Sequence, residues 1–520
     1  MKKLHGLAGS LALGVFALSI TGCRTHNQQD KGTPLWKQGK VTEAAAAFTK
    51  KANSQADTKD TIIWRLGQGT ALRTAGQVKE SQVAFEQAEA KISTYEERAK
   101  VRLGNEAGAM LSNQDNLPYE GRDYDKVMLS TYKALNYIQL GDFEKARPEL
   151  IRAFQRQQDA VENNKKQIEK AEEKIKKAAG DKTVAEGEKA ADDKTVTEGE
   201  KAADDKTVTE EPKLAAAEPG TVEEKTAKAE SSADKARQDP KVSSALSTNY
   251  FELDTLKAYA DYVNPFPVYL DGIYFLNFSA GGSDLERARK SFERVRGLSG
   301  DNKYIKADLE AADTALRGEP VPPTTYIIFE TGCAPWRGQI RIDIPLFFIG
   351  SGNVPYVGAA FPRLKFDDNY VSSLTVSADG TDDTTITVAS MDSVVGQSFK
   401  NELPTIITKT LVSTTIKAGI AYGINKAVSD QNAIAGIFAK VITGLGQAAM
   451  NIADLRTWTT LPKEFQICRI PTPTNQVITL STPASAQKVE VKVEPNSVNL
   501  IYVKAINATN TLIVNQVKFK

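Results

Sequence analysis

The sequence predicts an α+β fold: an N-terminal stack of paired α-helices, then a mixed β-rich domain that carries a helical hairpin. Three observations predict it. Apolar and small residues recur at helical spacing through 61–92, 124–158 and 273–298, and each run is broken by Gly76, Gly141 or Gly281-Gly282. Composition switches after Pro323 to Ile-, Phe-, Tyr- and Val-rich segments bounded by Gly and Pro. Between the second and third helical runs lies a charged stretch almost without large apolar residues.

The chain opens with Lys2 and Lys3, followed by an apolar segment from Leu11 to Ile20 that is too short to cross a bilayer, the arrangement of a secretory signal. It ends in Ser19-Ile20-Thr21-Gly22-Cys23, which resembles the cleavage site of bacterial lipoproteins; Ile20 departs from the Leu usual there. The resemblance implies a signal at 1–22, a diacylglyceryl- and palmitate-bearing Cys23, and a lipid-anchored linker at 23–39. Several acyl chains, each contributing roughly 0.8 kcal/mol per buried CH₂, hold a water-soluble body on a membrane almost irreversibly. Arg24 is not the Asp associated with inner-membrane retention, so the expected location is the bacterial outer membrane, on its periplasmic side in preference to the cell surface.

The first helical run places Ile63, Leu66, Thr70 and Leu72 before Gly76, and Val83, Phe85 and Ala88 after it. The second places Ala134 and Tyr137 before Gly141-Asp142, with Ala146, Leu150 and Ala153 after it; the third has Ala288, Phe292 and Val295 after the Gly-Gly break. These runs resemble tetratricopeptide repeats, with Ser81 standing where Ala146 and Ala288 stand in the other copies. The resemblance implies two blocks of repeat-like helices, 40–177 and 241–318, stacked into a curved solenoid. The concave side of such a stack often receives a peptide or helix from a partner, although the same stack can also simply hold another domain.

Residues 178–240 form the charged insertion, in which Asp-Lys-Thr-Val recurs at Asp181, Asp193 and Asp205, a period of twelve. So little burial is available there that the segment is expected to be disordered or weakly helical. The preceding helix from Phe143 is extended by interleaved Glu and Lys. After the insertion, Pro265 and Pro267 are expected to separate a helix at Phe251–Val263 from one at Val268–Phe278.

The β-rich domain spans 324–470, and a helical pair occupies 398–455 within it: one helix through Ile407, Leu411 and Ala418, the other through Ile434, Val441 and Ala448. Lys409, Lys417 and Lys426 favour a soluble pair over a membrane-inserted one. Residues 471–520 read as C-terminal antiparallel strands.

With 66 basic and 65 acidic residues, the chain carries no electrostatic footprint for nucleic acid. His occurs only at His5 and His26, which excludes a His base or a His-rich metal site from the folded body. The acidic run at 379–383 lacks the ligand spacing of a calcium loop and reads as a hairpin turn; no metal or cofactor is expected. Cys333 and Cys468 are the remaining thiols, for which a single disulfide is expected in an oxidising compartment, two free buried thiols being the alternative.

The segments Tyr326–Glu330 with Thr331-Gly332-Cys333-Ala334-Pro335-Trp336, Arg341–Pro345, Phe361-Pro362-Arg363, and Asp454–Pro462 with Arg469 resemble a group of uncharacterised bacterial outer-membrane lipoproteins. Members of that group carry tetratricopeptide-like helices and a conserved C-terminal domain. The resemblance implies no chemistry, and Cys333 departs from its pattern in a way consistent with a disulfide to Cys468. Within these segments Glu330, Asp343 and Asp454 are candidate catalytic carboxylates; Arg341, Arg363, Arg456, Trp336 and Trp458 are candidates for orienting a ligand. Two carboxylates about 5–9 Å apart suffice for glycoside hydrolysis without His. The competing expectation is that Arg341, Asp343 and Arg456 form a buried ion network. The function expected is a protein-binding adaptor or assembly scaffold of the cell envelope, with an envelope protein as partner and peptidoglycan as a further one. The alternative is a carboxylate-based hydrolase of envelope glycan or peptide.

Overall fold

A computed structural model describes residues 30–101, 117–163, 165–166, 231–259, 263–346, 356–426, 452–483 and 485–519. Cys23 with the signal, the repeats of the insertion and the second helix expected at 434–448 lie outside the described residues. The architecture is α+β: an N-terminal helical region packed helix against helix, then a mixed β-sheet domain with an inserted helix.

Two helices lead in, α1 (Gly32–Lys37) and α2 (Val41–Ser54), so the linker expected to reach residue 39 is already folded chain. Three helical hairpins follow the three periodic runs: α3 (Thr61–Thr74) with α4 (Val78–Val101), α5 (Asp123–Gln139) with α6 (143–163), and α10 (Pro265–Asn277) with α11 (Gly282–Ser299). The helices of a hairpin approach through matched positions. A Cβ on Gly69 would lie 2.3 Å from the Phe85 ring, and one on Gly272 would lie 2.6 Å from the Phe292 ring, so each aromatic needs the bare backbone opposite it. In the second hairpin the corresponding residues Ala134 and Leu150 are both buried. Ser81 fills its place without loss because its hydroxyl donates to the Gly69 carbonyl at 2.7 Å.

Two expectations around the insertion need correction. Residues 231–238 form α7, a packed helix that leads into α8 (Pro240–Tyr250) and α9 (Glu252–Thr255), because Ala233, Ala236 and Val242 bury against strand residues such as Ile344 and Phe361. The helix expected to run to Val263 ends at Thr255, and the next starts at Pro265 instead of Val268: Pro265 sits at the first helical position of α10, where its missing N–H costs nothing, and Asn264 caps the turn by accepting from Phe266 N–H. Helix α12 (Lys303–Leu316) closes the helical region.

Strands β1 (Thr324–Thr331), β7 (Glu464–Pro471), β10 (Asn499–Ala505), β11 (Ile513–Lys518) and β6 (Ile386–Ser390) form one sheet in the order β11-β10-β1-β7-β6. β1 and β10 are parallel, Tyr326 opposite Leu500. The C-terminal strands are therefore neither wholly antiparallel nor a separate unit, since β10 completes the sheet begun by β1. Alternation reveals which residues face the core and is silent about strand direction. A four-stranded sheet, β5-β4-β8-β9, joins β4 (Thr375–Ala378) and β5 (Thr381–Thr384) to β8 (Val477–Thr482) and β9 (Ser485–Lys492). The β4–β5 turn is Asp379-Gly380, both with positive φ as a two-residue hairpin demands. Strands β2 (Trp336–Pro345) and β3 (Tyr356–Lys365) make a ribbon that packs on α13 (Met391–Lys426). That inserted helix starts at Met391, about two turns before the expected 398.

The helical hairpins do not stand free of the sheet. Their first helices face it: every residue of α3 and of α10 is buried, and Phe266 of α10 stacks on Phe465 of β7 with centroids 3.8 Å apart. One continuous apolar core runs from Ile62 through Tyr132 and Phe266 to Ile327 and Val503.

Candidate functional site

The sequence-derived candidates fall in three separate environments. Arg341 and Asp343 are exposed on one face of the β2–β3 ribbon, flanking Gly358 of the opposite strand. Arg363, also on the ribbon, donates to Glu252 at 3.1 Å, and Trp336 at the start of β2 is covered by the Lys37 ammonium 3.1 Å from its ring centroid. The expected buried network of Arg341, Asp343 and Arg456 is therefore not formed: strand alternation points Arg341 and Asp343 to the solvent side, while Ile342 and Ile344 take the core.

Glu330 belongs to a second environment. It is the second-last residue of β1, 1% exposed, and accepts from the Lys504 ammonium at 2.6 Å and from the Tyr502 hydroxyl, both on β10. The Arg73 guanidinium of α3 stacks over the Tyr502 ring at 4.7 Å, and Tyr132 of α5 approaches the same carboxylate. Parallel pairing makes this centre, because Glu330 stands beside Lys504 in register and Tyr502 lies on the same face two residues earlier. A small cavity touches Thr70, Arg73, Glu330 and Tyr502, with room for about one water.

The third environment is the junction where residues 454–461, an irregular stretch, run between helices and strands. Arg456 is 2% exposed and holds Asp454 by two contacts, Nε to Oδ1 at 2.7 Å and NH2 to Oδ2 at 3.1 Å. Its NH1 donates to Asp60 at 3.0 Å, just before α3, and to the Leu117 carbonyl at 2.7 Å. The Arg456 carbonyl in turn accepts from Arg122 at the start of α5 at 2.7 Å. Arg122 also faces Glu402 of α13, which Arg337 of β2 binds at 2.6 Å. Burial raises the Asp454 carboxyl, but Arg456, and more weakly Arg122 and Arg337, overcome it and hold the group down at about 2. The same competition leaves Glu402 below its ordinary value. Two residues on, the Trp458 ring sits between Phe85 (centroids 6.1 Å apart) and Tyr132 (5.8 Å), and its Nε1 donates to Thr70 at 3.0 Å.

Glu330, Asp343 and Asp454 thus form no carboxylate pair. Two are buried against cations and the third is exposed on a different sheet. Among the described residues no group of His, Cys, Asp or Glu is arranged to hold a metal ion.

Sequence reasoning missed Asp308 of α12, which is fully buried, receives the Tyr269 hydroxyl at 3.0 Å and lies 2.7 Å from Arg469 of β7. Burial outweighs Arg469 and pushes its carboxyl up to about 7. A lone Asp in a helix reading Lys-Ala-Asp-Leu-Glu carries no signal that it faces inward.

The expected disulfide is absent. Cys333 and Cys468 are free and buried, because Cys468 stands opposite Ile327 while Cys333 lies beyond the end of β1. Four residues of strand separate Ile327 from Thr331, about 13 Å, against the roughly 7 Å that a disulfide tolerates between Cα atoms. Burial pushes the Cys333 thiol up to about 11 and the Cys468 thiol up to about 12. At pH 8 the native chain should therefore give no reaction of these thiols with a chromogenic disulfide, and both should titrate in denaturant. A disulfide would leave them silent in both conditions.

Comparison with protein-family models, with curated proteins and with solved structures finds no match to this chain. Among the described residues no helix is long and apolar enough to cross a membrane.

Proposed function

We propose that this chain is a lipoprotein of the bacterial outer membrane, acylated at Cys23, that serves the cell envelope as a non-enzymatic scaffold. In this reading the hairpins are a tetratricopeptide-like stack whose inner face cradles the chain's own β-sheet. The observation that carries it is the junction: Trp458 and Arg456 fill the space between α3, α4 and α5 that an open stack would offer to a partner peptide. The candidate carboxylates support the same reading, since Glu330 and Asp454 are each neutralised by a buried cation instead of facing a cleft. Partner contacts then belong to outward surfaces, such as the exposed apolar Val83 on α4 and Leu140 after α5.

The test uses the intact lipidated chain as bait in detergent-solubilised membranes. A specific envelope partner captured by the native chain and lost with Val83→Glu and Leu140→Glu, at unchanged circular dichroism, is the expected result. Turnover of peptidoglycan by the purified chain, abolished by Glu330→Gln, would overturn the reading.

A further inference from the structure

We infer that the face built by α1 and the turns at 366–370 and 507–510 is the surface this protein lays against a lipid leaflet. The inference rests on the proposed acylation of Cys23 and adds an orientation to it. The occupant is the leaflet that holds the acyl chains, and little chain separates it from the fold.

From Cys23 to Asp30 there are seven steps, at most about 25 Å of fully extended chain. At Asp30 the chain is already fixed: its carboxylate accepts from the backbone N–H groups of Gly32 and Thr33, both at 2.9 Å, and the Thr33 hydroxyl meets that of Thr459 at 2.5 Å. Trp36 is wholly buried in a cluster with Phe48, Cys333 and Ile506. Asn507 donates to the Lys37 carbonyl at 2.9 Å, and Lys37 bridges to Asp367 at 3.4 Å. Helix α1 is therefore part of the body, and the tether emerges from one defined face of it.

The sheet gives that face a direction. β1 and β10 are parallel, and both end beside α1, since Cys333 and Ile506 follow them directly and pack on Trp36. The opposite end of β1, reached from the exposed Glu319, is about 26 Å away, the length of an eight-residue strand. The tether at full stretch is no longer than that strand, so the α1 side stays nearest the leaflet. What the face exposes fits a headgroup layer it rests on without inserting: Lys31, Lys40, Asp368 and Thr509, with no exposed large apolar side chain among them. The hairpin at Asp379-Gly380 belongs to the far end, because Asp379 accepts from the Thr474 N–H at 2.9 Å, just past Pro471 of β7, which pairs with Thr324 at the start of β1.

The experiment places a fluorophore at Thr509→Cys or at Glu319→Cys, the native Cys333 and Cys468 being buried. Each lipidated chain is reconstituted on vesicles of phosphatidylethanolamine and phosphatidylglycerol that carry an acceptor dye on the headgroup. Energy transfer from position 509 should exceed that from 319 several-fold. Inserting a twenty-residue Gly-Ser segment between Gln28 and Gln29 should abolish the difference, because the tether then exceeds the dimensions of the sheet. Equal transfer from the two positions in the native-length chain, or greater transfer from 319, overturns the orientation while leaving the anchor standing. The mass of the N-terminal peptide decides the anchor separately: an unmodified Cys23 in a chain that fails to float with the vesicles sinks both.

Discussion

Replacing Arg456 with Ala is expected to destabilise the fold by about 3–5 kcal/mol, the cost of leaving buried charge without its partner. Two carboxylates lose their principal cation at once, Asp454 at 2.7 Å and Asp60 at 3.0 Å, and the Leu117 carbonyl loses its donor. Arg122 lies 4.0 Å from Asp454 and is already shared with Glu402, so it replaces little of the lost contact. The expected readout is a lower urea midpoint. Arg456→Lys should recover only part of the loss, because an ammonium lacks the fork that spans Asp454 and Asp60 together. The ion cluster also fixes an acid limit. The folded Asp454 carboxyl sits at about 2, below its unfolded value near 3.8, so its contribution is complete above about pH 4 and is lost as pH falls toward 2. The shift corresponds to about 2 kcal/mol. In Arg456→Ala that acid-sensitive component should shrink, which urea titrations at pH 3 and pH 6 would measure; an unchanged difference between the two pH values would refute the assignment.

Much of the helical region was legible because its rules are local. Gly76, Gly141 and Gly281-Gly282 break periodic runs, and the structure turns at each of them. The contact between α3 and α4, by contrast, rests on Gly69 facing Phe85 at sixteen residues' separation. The β-rich half was legible as strands and as a hairpin at Asp379-Gly380. Its topology was not, because a parallel pairing of β1 with β10 joins residues more than 170 positions apart and leaves no periodic trace.

The candidate site divides along the same line. The motif-bearing segment 454–461 contains the two residues that tie helices to sheet, Arg456 and Trp458, and the sequence singled out both. Their partners Asp60, Thr70 and Tyr132 are scattered over the chain, and nothing in the local sequence of any of them points to residues 456 and 458. Charge balance likewise gave no warning that Glu330 would be buried: its burial depends on Lys504 and Tyr502 of a strand brought alongside by topology. A residue type can therefore be flagged by its own neighbourhood, while its role is fixed by a partner that only the fold supplies.

Trp458→Ala should cost about 3–5 kcal/mol, the range for removing a large buried aromatic. The indole is 1% exposed, makes ring contacts to Phe85 and Tyr132, and comes from a stretch with no strand or helix of its own to hold it in place. Because those two rings belong to separate hairpins, the loss should loosen α4 against α5, and amide exchange should accelerate in both helices more than in α10, where Phe266 on Phe465 makes an independent contact. Trp458→Phe separates packing from hydrogen bonding: a ring remains, Thr70 still donates to the Leu66 carbonyl at 3.2 Å, and the expected loss falls to roughly 1 kcal/mol. A double-mutant cycle of Trp458→Ala with Phe85→Ala should show coupling of about 0.5–3 kcal/mol, as expected of side chains in contact. Additive losses would mean that the irregular segment is carried by the helices without bracing them.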